Sequence, residues 1–249
     1  MFFAKNPKGE KMEYKLSKKY SSPELQSMIM GPNPIKLEEE LLKNVKINKG
    51  EVVCDLGSGN GLTSVFLAKE FGVKVYATDL WSNPDENMKF FVSQGLTKDN
   101  IIPVKADATN LNFDKDFFDK IVSIDSYNYF GRDEIYLDKH LLPYLKKGGY
   151  VYISIPGMKK DIHKNLPKEL LLSWTPEQLD YMHDVSWWTN IISSSKDCEI
   201  VEIKEMESNE EVWHDWLTQE NEYAINDRKS MNAGAGKYLN FISIILRKK

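Results

Sequence analysis

The sequence predicts an α/β protein, a mostly parallel β-sheet with helices on both faces. Three observations predict it. Short apolar runs alternate with helical patterns between residues 35 and 155, a glycine-rich turn joins the first run to the helix after it, and carboxylates close several of the runs. Pro23 opens a short helical pattern that Gly31-Pro32 stops. Pro34 begins a longer one, in which Ile35, Leu37, Leu41, Leu42 and Val45 recur at roughly helical spacing. Residues 51–55 read as the first strand, 62–70 as a helix and 73–78 as the second strand. Asn83-Pro84 caps the next helix, with proline where its missing N–H does no harm. Residues 101–104 and 118–124 read as the third and fourth strands, and 150–155 as the fifth. Between the last two, residues 132–146 read as one helix closed by a basic turn and Gly148-Gly149.

After Pro156 the texture changes. Thr175-Pro176-Glu177-Gln178 is a capping box, and the helix it opens is expected to run into the 180s. Residues 198–206 read as a strand. Ser208 and Glu211 form a second capping box, opening a helix towards Arg228. Residues 230–237 read as a loop and 238–247 as the last strand.

The chain has 249 residues, 33 basic against 37 acidic, for a formal charge of -4. With no basic stripe, nucleic acid is not an expected partner. Cys54 and Cys198 fall in strand-like runs, as free thiols of a reducing compartment do. The first residues lack the shape of a signal peptide, and no run approaches the length of a membrane span, so a cytoplasmic protein with no membrane partner is expected.

The glycine turn reads V-C-D-L-G-S-G-N-G, with Gly57, Gly59 and Gly61 in G-x-G-x-G spacing. A dinucleotide fingerprint requires G-x-G-x-x-G, and position 62 is leucine. Asp79 ends the second strand, where a carboxylate accepts ribose hydroxyls. Asp107-Ala108 follows the third strand and Asp125-Ser126 the fourth, so polar groups gather at one sheet edge, where open α/β sheets bind ligands.

In order along residues 36–155, V-V-C-D-L-G-S-G-N-G, Y-A-T-D-L-W, K-A-D-A-T-N-L-N-F and F-D-K-I-V-S-I-D-S resemble the motifs of the class I S-adenosylmethionine-dependent methyltransferases. The style resembles small-molecule enzymes related to the ubiquinone-biosynthesis C-methyltransferases and the cyclopropane fatty-acid synthases. The resemblance implies a Rossmann-like seven-stranded sheet, mostly parallel with its last strand antiparallel, plus a small helical cap. It implies S-adenosyl-L-methionine as cofactor and assigns roles by position. Asp55 would orient the glycine loop and the methionine ammonium. Gly57, Ser58, Gly59 and Asn60 would pack against the cofactor. Asp79 would hold the ribose, with Leu80 beside it also binding the cofactor, Asp107 and Ala108 would meet the adenine, and Asp125 or Ser126 the methionine end. Residues 1–34 would form an N-terminal lid, 35–155 the cofactor-binding core, 156–196 a cap insertion, and 197–249 the rest of the core with a cap helix at 209–228.

Methyl transfer requires no fixed catalytic residue type. Five of the six tryptophans follow residue 173, and Tyr127, Tyr129 and Phe130 follow the fourth strand. Packing accounts for at least half of these rings, and an aromatic pocket for a small amine is the functional reading. His183 and His214 are candidate bases, each weighed against a structural or exposed histidine. Tyr127, and Tyr20 in the lid segment, complete the catalytic candidates. The four histidines are scattered, so no metal is expected, and a monomer or homodimer is. Carbon, oxygen and thiol acceptors stay open. A nicotinamide-dependent oxidoreductase and a non-catalytic cofactor-binding protein are the other classes weighed.

Overall fold

The computed structural model describes residues 13–249. Seven strands form one sheet in the order β3-β2-β1-β4-β5-β7-β6. They are β1 (Val52–Leu56), β2 (Lys74–Asp79), β3 (Ile101–Lys105), β4 (Phe118–Ile124), β5 (Leu145–Met158), β6 (Cys198–Glu205) and β7 (Leu239–Lys248). β1 to β5 pair in parallel, and β7 runs antiparallel to both β5 and β6. Strand side chains alternate between two cores, as in a sheet buried on both faces. Val53, Val75, Val122 and Tyr152 enter one, and Cys54, Ile121 and Ile153 the other. Both cysteines are buried and free. No helix among the described residues is long and apolar enough to cross a membrane.

Several elements differ from the expectation. The 132–146 helix is only a wide turn over Leu137–Leu141 and a tight one over Leu142–Tyr144, because Pro143 cannot extend it. β5 starts earlier than expected, at Leu145, and runs through Pro156 to Met158. Its register with β4 stops at Ser154, so the proline sits where one side of the strand carries no ladder. The helix at Thr175 covers only Pro176–Leu179, and Asp184 caps a new one, Val185–Ser193, by accepting from the Trp187 N–H at 2.8 Å. The expected 209–228 helix is two, Asn209–Leu217 and Glu222–Asn232, the second capped by Asn221. Ser208 makes no side-chain cap. Glu40 takes the N–H groups of Glu207 and Ser208 at 2.7 and 2.9 Å instead.

Residues 13–34 lie against the body of the protein. Glu39 accepts from the Leu16 and Ser17 N–H groups, the Tyr20 hydroxyl donates to Glu70 at 2.9 Å, and the Asn33 N–H donates to the Val212 carbonyl. The first twelve residues of the expected lid lie outside the described residues.

Candidate functional site

β1 lies between β2 and β4, so the crossovers leave β1 in opposite directions and open a crevice beyond the carboxyl ends of these strands. The glycine loop lines it. Gly57 has φ +78° and hydrogen-bonds the Thr78 carbonyl at 2.8 Å. A Cβ on Gly57 would stand 2.2 Å from the Ser126 hydroxyl, so only glycine fits between β1 and β4. The Gly59 N–H donates to Asp79 Oδ2 at 3.0 Å, and Trp81 and Ser82 N–H groups donate to Oδ1 at 2.8 Å. A carboxylate has about four acceptor positions, so Asp79 is fixed in place with capacity left for a ligand hydroxyl.

This crevice is a cavity of about 580 Å³, within the usual range for small-molecule sites. It collects Gly57, Ser58, Gly59, Asn60, Asp79, Leu80, Asp107, Ala108 and Asp125 from the residues expected to bind cofactor. Asp107 Oδ1 accepts from the Thr109 N–H and hydroxyl, which hold its carboxyl below the ordinary range. Trp81, 87 % exposed, stands at the rim and not in the core. Met28 to Pro32 and Pro34, from the segment expected to form a lid, line another wall.

Asp55 does not line the cavity. It is buried beneath the loop, where Oδ2 accepts the Thr63 and Ser64 hydroxyls at 2.7 and 2.6 Å and holds the start of the Leu62–Phe71 helix. Its Oδ1 is buried without a partner, and burial pushes the carboxyl up to about 6. Beside it Glu38, fully buried with both oxygens unpartnered, is pushed well up by burial and by Asp55.

A second cavity of about 280 Å³ adjoins the first, and Met30, Gly31, Pro32, Asp125 and Tyr129 line both. Asp125 stands at the junction in left-handed backbone, φ +55°, its N–H held by the Ser154 carbonyl at 2.7 Å. Burial, then Asp227, pushes its carboxyl up to about 7. The second cavity is walled by Trp174, Trp213, Trp216, Tyr181, Tyr223 and Phe241. Asp227, itself raised by burial, accepts the Trp216 indole N–H at 2.9 Å. Asn128 Oδ1 and the Trp213 indole nitrogen are buried there without partners. Among the described residues no Lys or Arg lines either cavity.

The four expected catalytic side chains lie elsewhere. Tyr127 is fully buried against Tyr136 and Trp188, while the turn carries Asn128 and Tyr129 into the second cavity instead. Tyr20 packs on Phe66 with its hydroxyl on Glu70. His214 faces solvent. His183 is buried, stacked on Trp187 at 3.7 Å and tilted against His163 at 4.8 Å. Among the described residues none of these four lines either cavity, and the titratable side chains shared by both are Asp125 and Tyr129.

S-adenosylmethionine fits this crevice. It offers ribose hydroxyls, an adenine amine, an ammonium and a sulfonium to carboxylates at three strand ends, whereas a dinucleotide pyrophosphate would meet only negative side-chain charge.

Residues 53–149 match the family model of a methyltransferase domain. The chain is 31% identical over 167 residues to a fibrillarin-like rRNA/tRNA 2'-O-methyltransferase of Methanococcus maripaludis, covering 65% of this chain and 67% of that protein. Among solved structures it resembles a putative sarcosine dimethylglycine methyltransferase from Galdieria sulphuraria, with TM-score 0.66 and 17% identity over 85% of this chain and 83% of that one. A phosphoethanolamine N-methyltransferase 2 of Haemonchus contortus, in complex with phosphomonomethylethanolamine and S-adenosylhomocysteine, superposes with TM-score 0.66 at 16% identity, covering 89% of this chain and 54% of that one. A geranyl diphosphate methyltransferase in complex with S-adenosylmethionine gives 0.65 at 15% identity, covering 86% and 84%.

Proposed function

The chain belongs to the class I S-adenosylmethionine-dependent methyltransferases, and on that premise we propose that its acceptor is the nitrogen of a small, unphosphorylated amine. The observation that carries this reading is the second cavity, where Asp125 and Asp227 stand among tryptophan and tyrosine rings with no Lys or Arg in the lining. Aromatic faces and carboxylates both attract an ammonium group, and a phosphate there would meet no lining Lys or Arg. The same lack of cations disfavours a polynucleotide acceptor.

When bound, the cofactor supplies a sulfonium methyl group open to in-line displacement. Asp125, at the junction, is placed to take a proton from the acceptor ammonium. The N–H bond breaks, an O–H bond forms on the carboxylate, and the freed lone pair forms the N–C bond as the S–C bond breaks. A carboxyl raised to about 7 is matched to that transfer near neutral pH. Asp227 adds a second carboxyl to the same cavity, and the aromatic walls exclude water. The paired acids beside the aromatic rings favour nitrogen over carbon, oxygen or sulfur as the accepting atom. Residues 28–34 would cover both ligands, which supports the reading of the N-terminal segment as a lid.

The test is a screen of amines, phenols, thiols and carbon acids with methyl-labelled cofactor. Label is expected in an amine. Label confined to phenols, thiols or carbon acids would overturn the reading.

A further inference from the structure

We propose that Asp161, His163 and His183 form a binding site for a divalent transition-metal ion, Zn²⁺ by preference. The sequence separates the two histidines by twenty positions, yet one ligating atom from each of the three residues lies within 4.8 Å of the others. This corrects the expectation that no histidines cluster.

The hydrogen bonds give the site its chemistry. His163 Nε2 lies 3.0 Å from the Leu179 carbonyl, which can only accept, so Nε2 carries a proton. The neutral ring then turns the lone pair of Nδ1 towards Asp161 Oδ1, 2.8 Å away. Two lone pairs at that distance require a cation between them, either a second ring proton or a metal. A histidine that donates its distal N–H to a backbone carbonyl and offers the other nitrogen to an ion is the usual arrangement around zinc. The third group is independent of this pair. His183 is 7 % exposed, and its Nδ1 is buried with no partner.

The surrounding fold fixes the cluster. The His183 carbonyl accepts from the Met158 N–H at 3.1 Å at the end of β5, and Asp184 accepts from the Asp161 N–H at 3.0 Å. Gly157 permits that approach, since a Cβ there would meet the His183 carbonyl at 2.7 Å. Ligand atoms around tetrahedral zinc stand about 3.3 Å apart. The exposed Asp161 and half-buried His163 supply the adjustment, while His183 stays stacked on Trp187. Two imidazoles and a carboxylate suit zinc, nickel or copper better than magnesium or calcium. Tyr181 and Met182, which line the second cavity, immediately precede His183, so a bound ion would clamp that wall.

The test is calorimetric titration of ZnCl₂ into chelator-stripped protein, with MgCl₂ as control and Ni²⁺ quenching of Trp187 fluorescence as a second readout. One zinc per chain is expected, weakened at least about tenfold in Asp161→Asn and in His163→Gln. Both replacements lie on exposed or half-exposed side chains, and a melting curve without metal shows whether each variant is folded. Ni²⁺ should quench the wild type more than Trp187→Phe. No saturable zinc binding, or equal binding by wild type and both variants, would overturn the site and leave the proton as the bridging cation.

Discussion

Replacing Asp125 by Asn tests the junction directly, because structure predicts opposite effects on stability and activity. Asparagine keeps the shape and tolerates left-handed backbone, so the φ of +55° is no obstacle. The folded-state carboxyl sits at about 7, above its ordinary 3.8. The folded protein therefore holds that proton more tightly than the unfolded chain. The cost of ionising it appears as pH rises from 3.8 towards 7 and is fully present above 7. At about 1.4 kcal/mol per pK unit the ceiling is about 4 kcal/mol, and solvent in the two open cavities reduces it to about 1–2 kcal/mol. The amide escapes this cost and the repulsion from Asp227. Asp125→Asn should melt about 2–8 °C higher than wild type at pH 8 and show little or no gain at pH 4. Methyl transfer should fall at least about 100-fold, and the wild-type rise in kcat/KM across pH 7 should vanish. Scanning fluorimetry between pH 4 and 8.5, beside a labelled-methyl assay, reads both. A pH-independent change in melting temperature, or a variant that keeps the wild-type rate and pH profile, would refute the assignment.

Three further outcomes are expected. Asp79→Ala removes the acceptor of the Gly59, Trp81 and Ser82 N–H groups, and calorimetry should show cofactor affinity down at least about tenfold; unchanged affinity would remove Asp79 from the ribose site. Gly57→Ala places a methyl 2.2 Å from the Ser126 hydroxyl in a positive-φ position, so urea melts should show a loss of about 1–3 kcal/mol, with cofactor binding abolished. Glu38→Met removes a fully buried carboxyl with no partner, and should stabilise by about 1–3 kcal/mol at pH 7 and by less below pH 4.5. Its raised folded-state value sets that sign, and a destabilised variant at pH 7 would show that Glu38 is satisfied in solution.

The crevice was legible because strand periodicity brings Asp79, Asp107 and Asp125 to the same edge. Trp213 and Trp216 lie three apart on one helix, and both reach the second cavity. What failed depends on contacts far apart in sequence. Ser208 looks like a helix cap until Glu40, 168 residues earlier, takes its N–H. Tyr127 and Tyr129 are equivalent in a string of letters, but about 100° of helical rotation per residue buries one and points the other at the junction. Asp227 carries no motif, and its place beside Asp125 exists only once the chain has folded around the crevice.

The most direct measurement is a crystal structure with S-adenosylhomocysteine and the amine that the labelled screen returns. The cofactor product is expected across the Gly57–Gly59 loop and Asp79, with the acceptor nitrogen within about 3 Å of the Asp125 carboxylate and its body among Trp174, Trp213 and Trp216. An acceptor bound outside this aromatic cavity, or an Asp125 carboxylate occupied by the methionine ammonium and out of reach of the acceptor, would contradict it.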